Sequence, residues 1–260
     1  MHAPVPETVP RVAARGFQSG AAAYASGRPD YPEAIVGWLR EKLGLAPGKL
    51  ALDLGAGTGK FLPSLLKSSG SVIAVEPVEA MRTQLAAAFP AVETRFGTAD
   101  AIPAADERLD AIVCATSFHW FATRAALAEM RRVLKPGGGL GLIWNVRDES
   151  ISWVAELTRI ITPYGGDAPR FFRGQWRDVF PADGFSPLEE ARFPYAHFGP
   201  PERVIVERTL STSFIAALEP GERAKVAAEV RALIAATPEL RGRESVAYPY
   251  VTAAFCCRKL

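Results

Sequence analysis

The chain has 260 residues, 48% apolar, 22% charged and 10% aromatic, values that exclude intrinsic disorder and collagen-like or fibrous repeats. Thirty basic side chains against twenty-eight acidic ones leave +2, too balanced a charge to announce a nucleic-acid or anionic-membrane partner. Cys114, Cys256 and Cys257 cannot build a disulfide framework, the last two being neighbours, so a reducing compartment is expected. The N-terminal stretch MHAPVPETVPRVAARG has no continuous apolar run, which makes it a poor leader, and no segment reaches the ~18–20 apolar residues of a membrane span. A soluble, cytoplasmic protein is expected, as monomer or homodimer, with no membrane partner.

In chain order, residues 1–15 read as a flexible arm. Residues 16–45 carry helical spacing, with Ile35, Val36, Leu39 and Leu43 on one face, and stop at Pro47-Gly48. A strand–helix alternation follows. Strands are predicted at Lys49–Leu54, Ser71–Val75, Val92–Phe96, Asp110–Ala115 and Leu140–Trp144, with helices at Phe61–Ser68, Glu79–Ala88 and Thr123–Leu134. Wholly apolar strands alternating with helices predict an α/β fold, a doubly wound, mostly parallel sheet covered on both faces. Beyond Asn145 the pattern predicts helices at Ile151–Ile161, Pro201–Leu218 and Glu222–Ala236 and strands at Leu188–His197 and Tyr248–Cys257, with an irregular aromatic segment over 163–185. The division expected is an arm and lid helix over 1–45, a binding domain over 46–260, and a substrate cover inserted over 151–217.

The densest chemistry lies in Ala51-Leu-Asp-Leu-Gly-Ala-Gly-Thr-Gly-Lys-Phe61. An apolar strand carries Asp53 near its end, and glycines at 55, 57 and 59 let the chain turn sharply and bring backbone N–H groups against a ligand. Glu76 closes the second strand, 23 residues after Asp53, where a carboxylate beside the first turn accepts hydrogen bonds from both ribose hydroxyls of a nucleoside. Two cofactor classes use such a turn. Dinucleotide binders want G-x-G-x-x-G, but Lys60 stands where the third glycine belongs. An acid just before the turn suits a ligand carrying an ammonium group, such as S-adenosylmethionine, better than a pyrophosphate.

With these residues the chain resembles the class I S-adenosylmethionine-dependent methyltransferases, of the type 11 group that includes trans-aconitate and ubiquinone-biosynthesis-like methyltransferases. The resemblance covers roughly residues 17–147, through Ala51–Phe61, Val72–Met81, Gly97-Thr-Ala-Asp-Ala-Ile-Pro103, Asp110–Trp120 and Leu134-Lys-Pro-Gly-Gly-Gly139. It implies a seven-stranded Rossmann-like sheet whose last strand runs antiparallel. It also implies Asp53, Gly55, Ala56 and Gly57 along the methionine part, Glu76 on the ribose, and Pro77 and Met81 beside the adenine. Asp100 and Ala101 would meet the adenine edge, and Thr116 with Ser117 would sit near the sulfonium. The segment Phe17…Tyr24…Arg28-Pro-Asp-Tyr31-Pro resembles the lid of these enzymes, with Tyr24 and Arg28 on the methionine carboxylate; a surface helix with an incidental Arg is the plainer reading.

Methyl transfer from a sulfonium is an in-line displacement that needs the nucleophile held ~3–3.5 Å from the methyl carbon. A carboxylate needs no base, whereas a hydroxyl, amine or carbon acid can need one. His119 is the candidate base, against a plainer reading as a packed or substrate-shaping residue. Trp120 stacks on adenine, walls the substrate pocket or simply packs. Asn145 and Arg147, ending the fifth strand, are substrate candidates, with capping and ion pairing as alternatives. Arg170, Phe171, Phe172, Arg173, Trp176 and Arg177 offer positive charge and aromatic rings to an acidic or aromatic substrate, or form a cover with an aromatic core. The scattered histidines and cysteines show no metal-ligand spacing, so no metal is expected. The sequence therefore predicts methylation of a small-molecule acceptor. The alternatives are an RNA methyltransferase, for which a basic appendage is wanting, and a non-catalytic S-adenosylmethionine-binding protein.

Overall fold

The computed structural model describes residues 28–167 and 169–260. The arm at 1–15, Phe17 and Tyr24 lie outside the described residues. Helix α1 (Ala34–Leu43) is followed by β1 (Leu50–Leu54), α2 (Leu62–Ser69), β2 (Ser71–Val75), α3 (Glu79–Ala88), β3 (Glu93–Arg95), β4 (Leu109–Ala115), α4 (Arg124–Val133) and β5 (Leu134–Arg147). Then come α5 (Ser152–Ile161), β6 (Glu189–Gly199), α6 (Pro220–Ala236) and β7 (Val246–Arg258). The strands form one seven-stranded sheet in the order β3-β2-β1-β4-β5-β7-β6. Strands β1 to β5 pair in parallel, and β7 runs antiparallel to both β5 and β6.

The apolar runs account for this layering. Leu52, Ile112 and Leu142 pack into one fully buried cluster, and Ala51, Val113 and Ile143 into a second with α1 and α2. Alternate residues of β1, β4 and β5 thus feed different clusters, as period-2 side chains of a sheet covered on both faces must. Each such Leu or Ile contributes about 1.5–3 kcal/mol by leaving water. A third cluster joins α5 and α6 to Tyr248 and Tyr250 at the start of β7.

Four boundaries differ from the sequence expectation. The helix expected within 16–45 spans Ala34–Leu43 among the described residues, and the third strand shrinks to Glu93–Arg95. Strand β5 starts at Leu134 rather than Leu140, where Leu134 pairs with Leu109 of β4, and continues to Arg147, because antiparallel β7 pairs with it residue by residue from Gly139 to Arg147. The helix expected over Pro201–Leu218 is broken into a π-helical turn (Glu202–Glu207), a short α turn (Arg208–Leu210) and another (Ser213–Ala216). The break follows from local competition, since Ser211 Oγ donates to the Arg208 carbonyl at 2.8 Å and offers the backbone an alternative to the helix ladder.

Candidate functional site

The glycine turn sits over the carboxyl ends of β1 and β2. Backbone N–H groups of Gly55 and Ala56 both donate to the Val75 carbonyl, at 2.9 and 3.1 Å, and fold the turn back onto β2. Gly55 has φ +70, and a Cβ placed on it would lie 2.8 Å from Cβ of Ser117, so both conformation and space demand glycine there. Glu76 lies 5% exposed beneath the turn, with Oε2 accepting from Gly57 N–H and Oε1 from Val78 N–H, each at 2.8 Å. Burial raises its carboxyl above the ordinary range, and the two N–H groups oppose that rise. Asp53 is 1% exposed with neither carboxylate oxygen hydrogen-bonded. Burial, reinforced by the charge of Glu76, pushes its pKa up to about 8.

Three cavities converge on this turn. The first, of about 70 Å³, has Glu76, Pro77 and Met81 on one side, Gly97, Thr98 and Ala99 on another, and Trp120 and Phe121 beyond. Another of about 70 Å³ lies over Ala56, Thr58, Lys60, Tyr31 and Arg28. The largest, of about 370 Å³, opens under α5 and the 162–173 segment. Among the described residues, Thr116 alone lines all three. It holds φ +55, a strained backbone for a β-branched residue, kept by its N–H on the Ile143 carbonyl at 2.7 Å. Its hydroxyl lies 3.1 Å from that of Tyr31. Strain of ~1–3 kcal/mol concentrated at the junction is what a functional position carries.

The large cavity is cationic. Among the described residues Arg28, Arg147, Arg170, Arg173 and Arg208 line it with one carboxylate, Glu149, and Arg173 also pairs with Asp167 Oδ1 at 3.5 Å. Arg208 is 8% exposed and enters from the end of the π-helical turn, a distortion that often marks functional sites. The Arg170 guanidinium lies 4.5 Å over the Phe214 ring, and the Nε atoms of Arg170 and Arg208 are buried without a hydrogen-bond partner. Burial and the neighbouring charges of Arg173 and Arg147 hold the Arg170 guanidinium below its ordinary value. Apolar walls come from Trp120, Trp144, Ile161, Phe171 and Phe214. His119 also lines this cavity; its Nδ1 accepts from the Trp144 indole N–H at 3.0 Å. Burial, with the Arg28 charge, pushes its pKa down to about 3.

The structure gathers most of the sequence-predicted residues here. Gly55, Gly57, Glu76, Pro77, Met81, Ser117 and Trp120 line the first cavity, and Arg28 and Ala56 that over Lys60. His119, Asn145 and Arg147 line the large one. Three candidates stand off the cavity walls. Asp53 is buried below the turn, and Asp100 and Ala101 are exposed beside the Thr98–Ala101 bridge, while Gly97, Thr98 and Ala99 form the wall. Asn145 spends its amide on structure, donating to the Asp30 carbonyl at 2.9 Å and accepting from the Thr252 hydroxyl at 2.5 Å. Arg147 Nε donates to the Tyr248 hydroxyl at 2.8 Å. Tyr24 lies outside the described residues. Tyr31 belongs to the segment expected to form the lid, and Thr98 and Ala99 lie within the Gly97–Pro103 motif without an assigned role, whereas sequence reasoning missed Arg208, Phe214 and Tyr250; for Arg208 the signal was the Ser211-Thr212 pair that interrupts its helix.

Residues 52–142 match the family model described as a methyltransferase domain. An uncharacterized methyltransferase-like protein of Schizosaccharomyces pombe is 38% identical over 246 residues, spanning 94% of this chain and 95% of its own length. A provisionally assigned type II methyltransferase from Anaeromyxobacter dehalogenans superposes with a TM-score of 0.63 at 23% identity, over 89% of this chain and 96% of the other. A geranyl diphosphate methyltransferase solved in complex with SAM superposes at 0.50 with 16% identity, over 88% and 85%.

Proposed function

Because this chain belongs to the methyltransferase family, we propose that its three joined cavities take S-adenosylmethionine and a small anionic acceptor, with a carboxylate oxygen as the methyl-accepting atom. The observation that carries the reading is the convergence on Thr116 of two narrow clefts and one large cationic cavity. The first cleft suits a nucleoside and the Lys60 cleft an amino-acid tail, which leaves the large cavity for the acceptor.

The residues present fit the cofactor. Asp53 is a buried carboxyl with no partner, beneath a turn whose backbone approaches closely only because position 55 is glycine, and a cationic ligand above it supplies the missing charge. Glu76 keeps acceptor capacity for a ribose diol beyond its two backbone bonds, since a carboxylate has about four lone-pair sites. Pro77 and Met81 would flank the adenine, and Arg28 and Lys60 would answer the tail carboxylate. The cofactor supplies an activated methyl group on a sulfonium.

The chain's own residues hold the acceptor and exclude water. Arg173 is paired with Asp167 Oδ1 at 3.5 Å, but the guanidinium groups of Arg147, Arg170 and Arg208 share a partly desolvated space with one lining carboxylate, Glu149, and an anion entering the cavity relieves their mutual repulsion. Arg170 and Arg208 hold unused Nε donors, and aromatic walls bury the acceptor's apolar body. An acceptor that arrives ionised needs no proton removed, so orientation is the main task left to the protein.

The test is methyl transfer from radiolabelled S-adenosylmethionine to separate panels of carboxylic acids, alcohols and amines, with base-labile methyl release as the ester signature. Labelling of carboxylic acids that falls at least about tenfold in Arg170→Met supports the reading. Labelling of amines or alcohols alone overturns the anionic acceptor, and absence of S-adenosylhomocysteine binding overturns methyl transfer itself.

A further inference from the structure

The large cavity contains one imidazole, and its proton has a determined place. The indole N–H of Trp144 lies 3.0 Å from Nδ1 of His119. An indole N–H can only donate, so Nδ1 must present its lone pair, and a neutral imidazole then carries its single proton on Nε2. Trp144 is not free to turn away. It is 1% exposed and wedged among Trp176, Phe171 and Phe255, with ring centroids at 4.7, 5.2 and 5.9 Å. Trp120 packs 4.8 Å from the imidazole.

We propose that His119 is a hydrogen-bond donor of fixed tautomer, locked by Trp144, and that its Nε2–H binds an anionic oxygen of the acceptor rather than removing a proton from it. The assignment rests on the reading of the arginine-lined cavity as the acceptor site. Burial and the Arg28 charge keep the ring neutral, and the other charged or titratable side chains around the cavity are Arg147, Arg170, Arg173, Arg208, Glu149 and Tyr250. With Nδ1 occupied and Nε2 protonated, the imidazole has no lone pair left to act as a base unless the Trp144 bond breaks. A neutral donor also suits this position better than a sixth cation, because it adds direction without adding repulsion. Trp144 touches no ligand in this scheme; it is a positioning residue acting through His119.

Two measurements decide the matter. Long-range proton–nitrogen NMR of the histidine rings, with His119 assigned by its loss in His119→Gln, should show a neutral Nε2–H tautomer throughout pH 5–8. A Nδ1–H tautomer, or a ring that titrates within that range, overturns the proposal without reference to any activity. Binding of phenylacetate, a carboxylate with an aromatic body, is then compared in the presence of S-adenosylhomocysteine. The longer amide side chain of His119→Gln returns an N–H close to the former Nε2, whereas the shorter amide of His119→Asn ends near the former Nδ1. His119→Gln should therefore bind within about threefold of wild type and His119→Asn at least about tenfold more weakly. Equal affinities of the two variants overturn the donor role, as does wild-type protein that rejects phenylacetate while still binding S-adenosylhomocysteine. Failure to bind S-adenosylhomocysteine overturns the underlying methyltransferase reading instead.

Discussion

Glu76 performs two tasks that one substitution separates. Its carboxylate ties Gly57 and Val78 together through two 2.8 Å bonds to backbone N–H groups, and it faces the first cavity where the ribose of the cofactor is proposed to lie. Glu76→Gln keeps the length and shape of the side chain but exchanges one acceptor oxygen for an NH2 group. That group must then face the N–H of either Gly57 or Val78, donor against donor, in a site only 5% exposed. Leaving one buried donor unsatisfied costs about 1–3 kcal/mol. At roughly 2–4 °C per kcal/mol for a chain of this size, Tm should fall by about 2–12 °C. Loss of charge-assisted bonds to the ribose, worth about 1.5–3 kcal/mol, should weaken cofactor binding by about 10- to 150-fold.

The assays are thermal unfolding of the empty protein and calorimetric titration with S-adenosylhomocysteine well below either Tm. The two readouts report on different partners of the same oxygen atoms. A lower Tm with unchanged Kd would show that Glu76 braces the glycine turn and takes no part in binding, which would refute the ribose assignment. A weaker Kd with unchanged Tm would refute the argument that its backbone bonds stabilise the turn. Glu76→Ala removes both acceptors and should exceed Glu76→Gln on each scale.

If Asp53 meets the ligand as proposed, the empty protein and its complex should differ in protonation. With a folded pKa of about 8 against an ordinary value near 3.9, its carboxyl keeps a proton that the unfolded chain has lost. The associated stabilisation is complete below about pH 4 and disappears as pH rises to about 8, and Asp53→Asn should flatten that slope in urea titrations. An ammonium group brought beside Asp53 favours the ionised form, so the amino-acid end of S-adenosylhomocysteine should release up to one proton at pH 6–7, read from titrations in two buffers of different ionisation heat. Zero release would detach Asp53 from the ligand. The glycine turn offers a paired contrast in urea unfolding. Gly55→Ala combines φ strain of about 1–2 kcal/mol with overpacking of about 1–3 kcal/mol against Ser117, whereas Gly57→Ala, whose Cβ would meet nothing closer than 3.9 Å, bears the strain alone. Equal losses from the two would refute the packing argument.

What the sequence discloses and what it hides divides along the range of the interaction. An apolar run, a glycine that must hold φ +70 and an acid at the next strand end are local patterns, so the parallel strands, the turn and Glu76 are readable without coordinates. Both ends of strand β5 escape the sequence because distant partners decide them: Leu109 of β4 pairs with Leu134, and β7, more than a hundred residues away, carries the strand on to Arg147. Asp100 illustrates a different limit: it is exposed beside a short Thr98–Ala101 bridge while Gly97, Thr98 and Ala99 line the cavity, and no propensity reveals which residues of a loop face a cleft. The chemistry of His119 is the sharpest case. Its sequence neighbours admit both a base and a packed ring, and the distinction rests on an indole 25 positions later that reaches its Nδ1. That indole is held by Phe171, Trp176 and Phe255, three aromatics from segments with no sequence pattern linking them to a histidine. Composition marked the aromatic segment as a cover; only the packed core turns it into the part that fixes where one proton resides.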